Sequence, residues 1–176
     1  MTTSRPRTRI NAPENLDEAS LRIAGCIEHR EERLSLEGLG LRQIPEEVGS
    51  LTWLIGLSVA NNRISEIPDF VGRLTELKTL HLQENPISVL PATLSQLTKL
   101  SELIIADGAP SAADSVIGTL ENLQYLVLGS LRLKKFPDWI RNLKKLRLLY
   151  LEGNHLKELP DWVGELSELQ VLNIEG

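Results

Sequence analysis

The stretch Leu149–Val171 reads LYLEGNHLKELPDWVGELSELQV, and the spacing of its apolar residues decides the fold. Leu149 and Leu151 alternate as in a short strand, Asn154 and Leu156 follow, Leu159-Pro160 closes a loop, and Val163, Leu166 and Leu169 return at intervals of three. The same unit begins at Leu34, Leu57, Leu80, Leu103 and Leu126 and opens again at Leu172, every step being 23 residues without insertion or deletion. Its third position is always aliphatic (Leu36, Val59, Leu82, Ile105, Leu128, Leu151, Ile174). Positions 11 and 12 read Ile44-Pro45, Ile67-Pro68, Leu90-Pro91, Phe136-Pro137 and Leu159-Pro160. A fixed period of this length is the mark of a solenoid, in which each unit buries its apolar face only against its neighbours.

The spacing has a physical reading. Positions 1 and 3 point inward from a short strand, and stacked strands form a parallel sheet, each coil adding roughly 4.8 Å. Proline at position 12 fixes φ and stops the loop before a brief helical turn. Positions 15, 18 and 21 bring the convex side back into the same core. Glycine at position 16 (Gly49, Gly72, Gly118, Gly164) permits close packing there or an unusual backbone angle. Asn62, Asn85 and Asn154 stand at position 6, where an amide satisfies backbone groups of neighbouring turns; Leu39, Gly108 and Leu131 break that rule.

The pattern LxLxxNxLxxLPxxIGxLxxLxx, carried by residues 34–176 as six full repeats and the start of a seventh, resembles the leucine-rich-repeat family in its 23-residue subtype with Leu-Pro and Ile-Gly. The resemblance implies an α/β fold: a right-handed horseshoe with a parallel concave sheet, short helical turns on the convex side and an N-terminal capping helix. The opening EASLRIAGCIEHREERLSLEGLGLRQIPEEVGSL (residues 18–51) is similar to segments that lead the repeats of bacterial Roco-type proteins, where a GTPase module follows, and of effectors that are ubiquitin ligases. Neither catalytic module is visible. There is no GxxxxGK[ST] phosphate loop, and the constant 23-residue period departs from the repeats of about 20 residues in the best-known ligase effectors.

Before the repeats, residues 1–13 have the basic, small and Pro-containing character of a disordered tail. Residues 14–33 are expected to form the capping helix, opened by a capping box at Asn15 and Glu18, with Leu16, Ala19, Ile23 and Ile27 on one face and Cys26 beside it as a small, partly buried residue. At the other end the sequence stops just after the inward pair Leu172 and Ile174. Either further chain or another surface is expected to cover that edge, and a homodimer through it is one such cover.

Composition narrows the function. A net charge of −5 argues against general nucleic-acid or membrane binding. A single cysteine forbids an intrachain disulfide or a cysteine-based metal site. No signal peptide and no apolar run long enough to cross a bilayer occur, which points to the cytoplasm, or to a host cytosol for an effector. His29, His81 and His155 are scattered, and no spacing suggests a catalytic constellation. No enzyme and no cofactor are expected.

Residues 126–148 hold seven Lys and Arg against one Asp. Three readings remain: ion pairs between neighbouring coils, an acidic protein partner, or nucleic acid. Register favours the first, pairing Glu121 with Lys144, Lys145 with Glu168, Lys135 with Glu158 and Glu76 with Lys99, each contributing about 0–1 kcal/mol.

The outward strand positions carry no packing duty and are therefore the informative ones. Ile104, Val127 and Tyr150 stand side by side in register, rimmed by His81, Glu84, Asp107, Arg132, Glu152 and His155. An apolar centre with a charged rim is the composition of a protein-binding site, so the concave face is expected to take a protein or peptide. The alternative function is a regulatory or substrate-recognition segment of a larger enzyme, a Roco-like GTPase or a ligase effector. A second candidate surface is convex, where Phe70, Trp139 and Trp162 share position 14 and either shield the turns or form a contact.

Overall fold

The structure is a computed structural model, and it describes residues 13–108 and 115–175. The tail expected at residues 1–13 therefore lies almost wholly outside the described residues, as do positions 109–114 of the atypical fourth unit.

One helix, α1 (Leu16–Glu28), precedes seven strands: β1 (Arg33–Ser35), β2 (Gly56–Ser58), β3 (Thr79–His81), β4 (Glu102–Ala106), β5 (Tyr125–Gly129), β6 (Leu148–Tyr150) and β7 (Val171–Asn173). The strands form one sheet in sequence order, every neighbouring pair parallel, with Leu34, Leu57, Leu80, Leu103, Leu126, Leu149 and Leu172 in direct register. The 23-residue step is thus one coil. Between strands the chain returns through short 3-10 turns, and behind the sheet lies one continuous aliphatic core.

The turns follow from local sequence. Pro45, Pro68, Pro91, Pro137 and Pro160 each stand in an extended conformation before a five-residue 3-10 turn. Proline pre-sets that φ. The fourth coil has no proline there, and its turn, Ile117–Thr119, is three residues long. Position 5 adopts a left-handed backbone in all six coils: Gly38, Asn61, Glu84, Asp107, Ser130 and Gly153. The strand leaves the sheet there, and only a left-handed residue turns it sharply enough.

The position-6 asparagines are buried and bind two coils together. Asn85 Oδ1 accepts the N–H of Ile64 one coil earlier at 3.0 Å, while its Nδ2 donates to Val59 O at 2.8 Å and to Leu82 O at 3.1 Å. Asn62 does the same for Leu41 and Leu36. Asn154 accepts from both Leu131 and Leu133 and donates to Leu128 O.

The capping helix is shorter than its sequence suggests. It ends at Glu28 because the chain must turn, with Arg30 left-handed, in time for Arg33 to pair with Gly56 in the sheet. Its buried face is Ala19, Ile23 and Cys26, whereas Leu16 (55% exposed) and Ile27 (49%) face away. Asn15 does cap the helix, accepting from Glu18 N–H at 3.1 Å, but the return half of the box is missing. The Asn15 N–H donates to Leu39 O instead, and Glu18 holds Arg22 at 2.7 Å so that Arg22 reaches Ser35 O on the free edge of β1. The helix therefore covers both the first core layer and part of the first strand edge. At the far end, Leu159 and Ile174 occupy columns buried in every earlier described coil, yet are 49% and 44% exposed.

Position-16 glycines serve close approach. A Cβ on Gly118 would lie 2.7 Å from Trp139 Cβ, and one on Gly72 would overlap the Thr93 backbone, whereas Gly164 has nothing within 4 Å. Gly72→Ala is therefore expected to lose about 1–3 kcal/mol of stability by overpacking, while Gly164→Ala stays within about 0.5 kcal/mol. Urea melts of both variants test this, and equal midpoints would refute the interlocking of coils. Asn85→Ala should cost about 2–4 kcal/mol, since it strands backbone groups of two coils in the core; a loss no larger than that of a surface substitution would sink the assignment.

Candidate functional site

Strand alternation places positions 1 and 3 in the core and their neighbours on the open face of the sheet, as the buried–exposed alternation of β4 shows. On that face Ile104, Val127 and Tyr150 are in direct register across β4, β5 and β6, each half-buried, with His81 before them and Asn173 after. The expected apolar row exists.

A second row runs beside it. Tyr125, Leu148 and Val171 are in register at the start of β5, β6 and β7, preceded by Glu102 on β4. Tyr125 and Val171 are each 41% exposed. Sequence reading missed this row because counting each unit from its leucine put these residues at the tail of the preceding one. The signal was available: the residue before an inward leucine must point outward. With both rows, the patch has six apolar side chains on four strands. Beyond it Ala106 and Gly129 are paired in the sheet and leave its floor low.

The rim residues divide into three groups. His81 is tied to Glu102, Nε2 to Oε1 at 2.9 Å, at the N-terminal border of the patch. Glu84 is exposed in its left-handed turn, and Glu152 accepts from Asn173 Nδ2 at 3.3 Å. Asp107, Arg132 and His155 are brought together, lining an open groove of 520 Å³ at the loop edge with Ser130 and Gly153. Arg132 has a φ of 58°, in the position where the first coil has Gly40 at 68°.

The basic coil is only partly neutralised, and mostly not by the expected partners. Lys99 does pair with Glu76 at 2.6 Å. Lys144 reaches Glu165 at 3.5 Å rather than Glu121, Arg141 shares that Glu165 at 3.8 Å, and Glu168 takes Arg147 at 3.7 Å rather than Lys145. Lys145 hydrogen-bonds Asn122. Long side chains on adjacent coils lean diagonally, so the nearest carboxylate is often offset from the residue in register. Lys135 and Glu158 form no ion pair among the described residues.

On the convex side Phe70 lies against the site of Gly49 and Trp139 against that of Gly118, while Trp162 packs edge-on to Phe136 with ring centroids 5.5 Å apart. All three are half-buried and packed against the core. Among the described residues no group of three or more His, Cys, Asp or Glu could hold a metal ion, and no helix is long and apolar enough to cross a membrane.

Two leucine-rich-repeat family models match the chain, one described as a leucine-rich repeat region over residues 31–116 and one as a leucine rich repeat over residues 111–156. The chain belongs to the leucine-rich-repeat family. No curated protein matches it in sequence. Among solved structures it is similar to the leucine-rich repeat domain of the type III effector XopL of Xanthomonas, with 25% identity and a TM-score of 0.75, covering 94% of this chain and 59% of that one. It is also similar to an internalin of Listeria monocytogenes, with 28% identity and a TM-score of 0.69, covering 78% of this chain and 39% of that one. A third likeness is to TLR13 in its complex with a single-stranded RNA, with 30% identity and a TM-score of 0.68, covering 78% of this chain and 20% of that one. The chain spans less than two thirds of each of these structures.

Cys26 is fully buried rather than partly so, and its Sγ donates to Glu31 O at 3.4 Å. Burial first, and the Glu31 carboxylate second, push its thiol above the ordinary range. Alkylation by iodoacetamide near neutral pH is therefore expected to be far slower in the folded chain than in urea. Equal rates would mean that α1 does not seal the first coil.

Proposed function

We propose that the chain is a non-catalytic binding module whose concave face takes a protein or peptide segment. The observation that carries this reading is the pair of adjacent apolar rows, Ile104, Val127 and Tyr150 beside Tyr125, Leu148 and Val171, on a face with no role in the core. Contiguous apolar surface rimmed by charge marks an interaction site, whereas scattered single residues do not. Tyr125 and Tyr150 are the anchors, since tyrosine gives large contact area at small entropic cost. The rigid sheet holds the surface in its binding shape before the partner arrives, which lowers the cost of association.

The natural setting of such a module is the cytoplasm, or a host cytosol. Its lone buried cysteine suits a reducing compartment, and one of its structural relatives is a domain of a type III effector. That relative is itself a repeat domain within an effector, which supports a second reading: the same concave face selecting the substrate or regulating the activity of a larger protein.

Yeast-displayed random peptides selected on the immobilised chain test the proposal. Retained peptides should lose about 1–3 kcal/mol of binding with Tyr125→Ala or Tyr150→Ala, while both variants keep the wild-type melting curve to within a few degrees. Retention indifferent to both substitutions would remove the site from the concave face.

A further inference from the structure

The seven cations of the fifth coil divide by side. On the side that follows the convex turn, Arg141, Lys144 and Arg147 meet Glu165 or Glu168, and Lys145 meets Asn122. At the loop edge, just past the end of β5, Arg132, Lys134 and Lys135 form no ion pair among the described residues, and neither does Lys157 one coil on from Lys134. All four are exposed, and His155 lies with them. Like charges gathered on one edge repel one another in the free protein, and that repulsion is relieved when a carboxylate is brought among them.

Arg132 sharpens the point. Its left-handed backbone costs an L-residue roughly 1–2 kcal/mol, and the equivalent turn of the first coil uses Gly40. An arginine is therefore held where glycine fits better, and it lines the groove at the loop edge. Between the apolar rows and this edge Ala106 and Gly129 keep the floor low on β4 and β5, while the next two coils carry Glu152 and Glu175 in the same column, so the path for a bound chain runs over β4 and β5. Asp107 stands on the fourth-coil side of the same groove, and Glu158 lies one coil on from Lys135.

We infer that the segment bound on the concave face is amphipathic and acidic. Its apolar side chains rest on Tyr125, Val127, Leu148 and Tyr150, and its carboxylates lie over Arg132, Lys134 and Lys157. This assignment rests on the concave-face reading above and adds the chemistry of the partner. Nucleic acid would also seek these cations, but the chain is acidic overall, with a net charge of −5, and carboxylates flank the edge.

The same peptide selection tests it when the retained sequences are read. The expected result is an excess of Asp and Glu at a fixed offset from an apolar pair. Binding should weaken roughly tenfold in the triple variant Arg132→Gly, Lys134→Ser, Lys157→Ser. The loss should be largest at low salt and shrink as ionic strength rises. Gly at 132 suits the local backbone, so a melting curve at or above wild type certifies that the variant is folded. Peptides that depend on Tyr125 and Tyr150 but show no acidic excess, or that bind the triple variant equally well, would overturn this inference and leave the concave site standing. Peptides indifferent to the tyrosines would overturn both. Filter retention of polyuridylate RNA by the wild type but not by the triple variant, with no acidic peptide enriched, would replace the acidic segment by a nucleic acid.

Discussion

Three of the six coils are tied to their neighbours by one arrangement on which the turns of the solenoid depend: a buried asparagine amide that satisfies the turn of the coil before it. After each strand the chain bends through a left-handed residue and leaves amide N–H groups pointing into an aliphatic interior, where an unpaired donor is expensive. Asn62, Asn85 and Asn154 accept from those N–H groups with Oδ1 and donate with Nδ2 to carbonyls of their own coil and of the coil before. Only a side chain with both a donor and an acceptor can do this. Where it is present, the distance it must span holds two neighbouring coils in register.

Where the amide is missing, the backbone adjusts, and the adjustments shape the surface. Gly108 brings the chain itself so near the third coil that a Cβ would be 3.0 Å from Ile87 O. Leu39 and Leu131 bury an aliphatic side chain instead, and the residue after each, Gly40 or Arg132, turns left-handed. The second of these turns carries Arg132 to the loop edge. A departure from the core pattern thus becomes a feature of the candidate binding surface.

The division of labour between the two sides of the sheet is equally physical. Inward columns are fixed by packing, so outward columns are free to vary, and they vary along the solenoid. The N-terminal coils present Ser35, Ser58 and the His81–Glu102 pair, whereas the later coils present two apolar rows. The solved leucine-rich-repeat structures that resemble this chain share its coil geometry at 25–30% identity. Coil geometry is what a core pattern preserves, and outward residues are what it leaves open.

Much of this was legible in the sequence. The inward leucines, the proline-led turns, the role of the asparagines and the row Ile104, Val127 and Tyr150 all follow from a periodicity that repeats six times, because each local requirement recurs in identical surroundings. What escaped were features that depend on how neighbouring elements meet. The row Tyr125, Leu148 and Val171 was hidden by counting units from their leucines, although strand alternation alone places it. The end of α1 at Glu28, the exchange of Glu18 from the cap to Arg22, and the diagonal ion pairs of the basic coil required the tertiary structure. In each case a long or terminal group had several partners within reach, and only the packed coils decide which is nearest. The sequence by itself determined the solenoid and which face is free; the tertiary structure decided which cations stay unpaired at the loop edge beside it, because pairing depends on the lean of side chains between coils and not on their spacing along the chain.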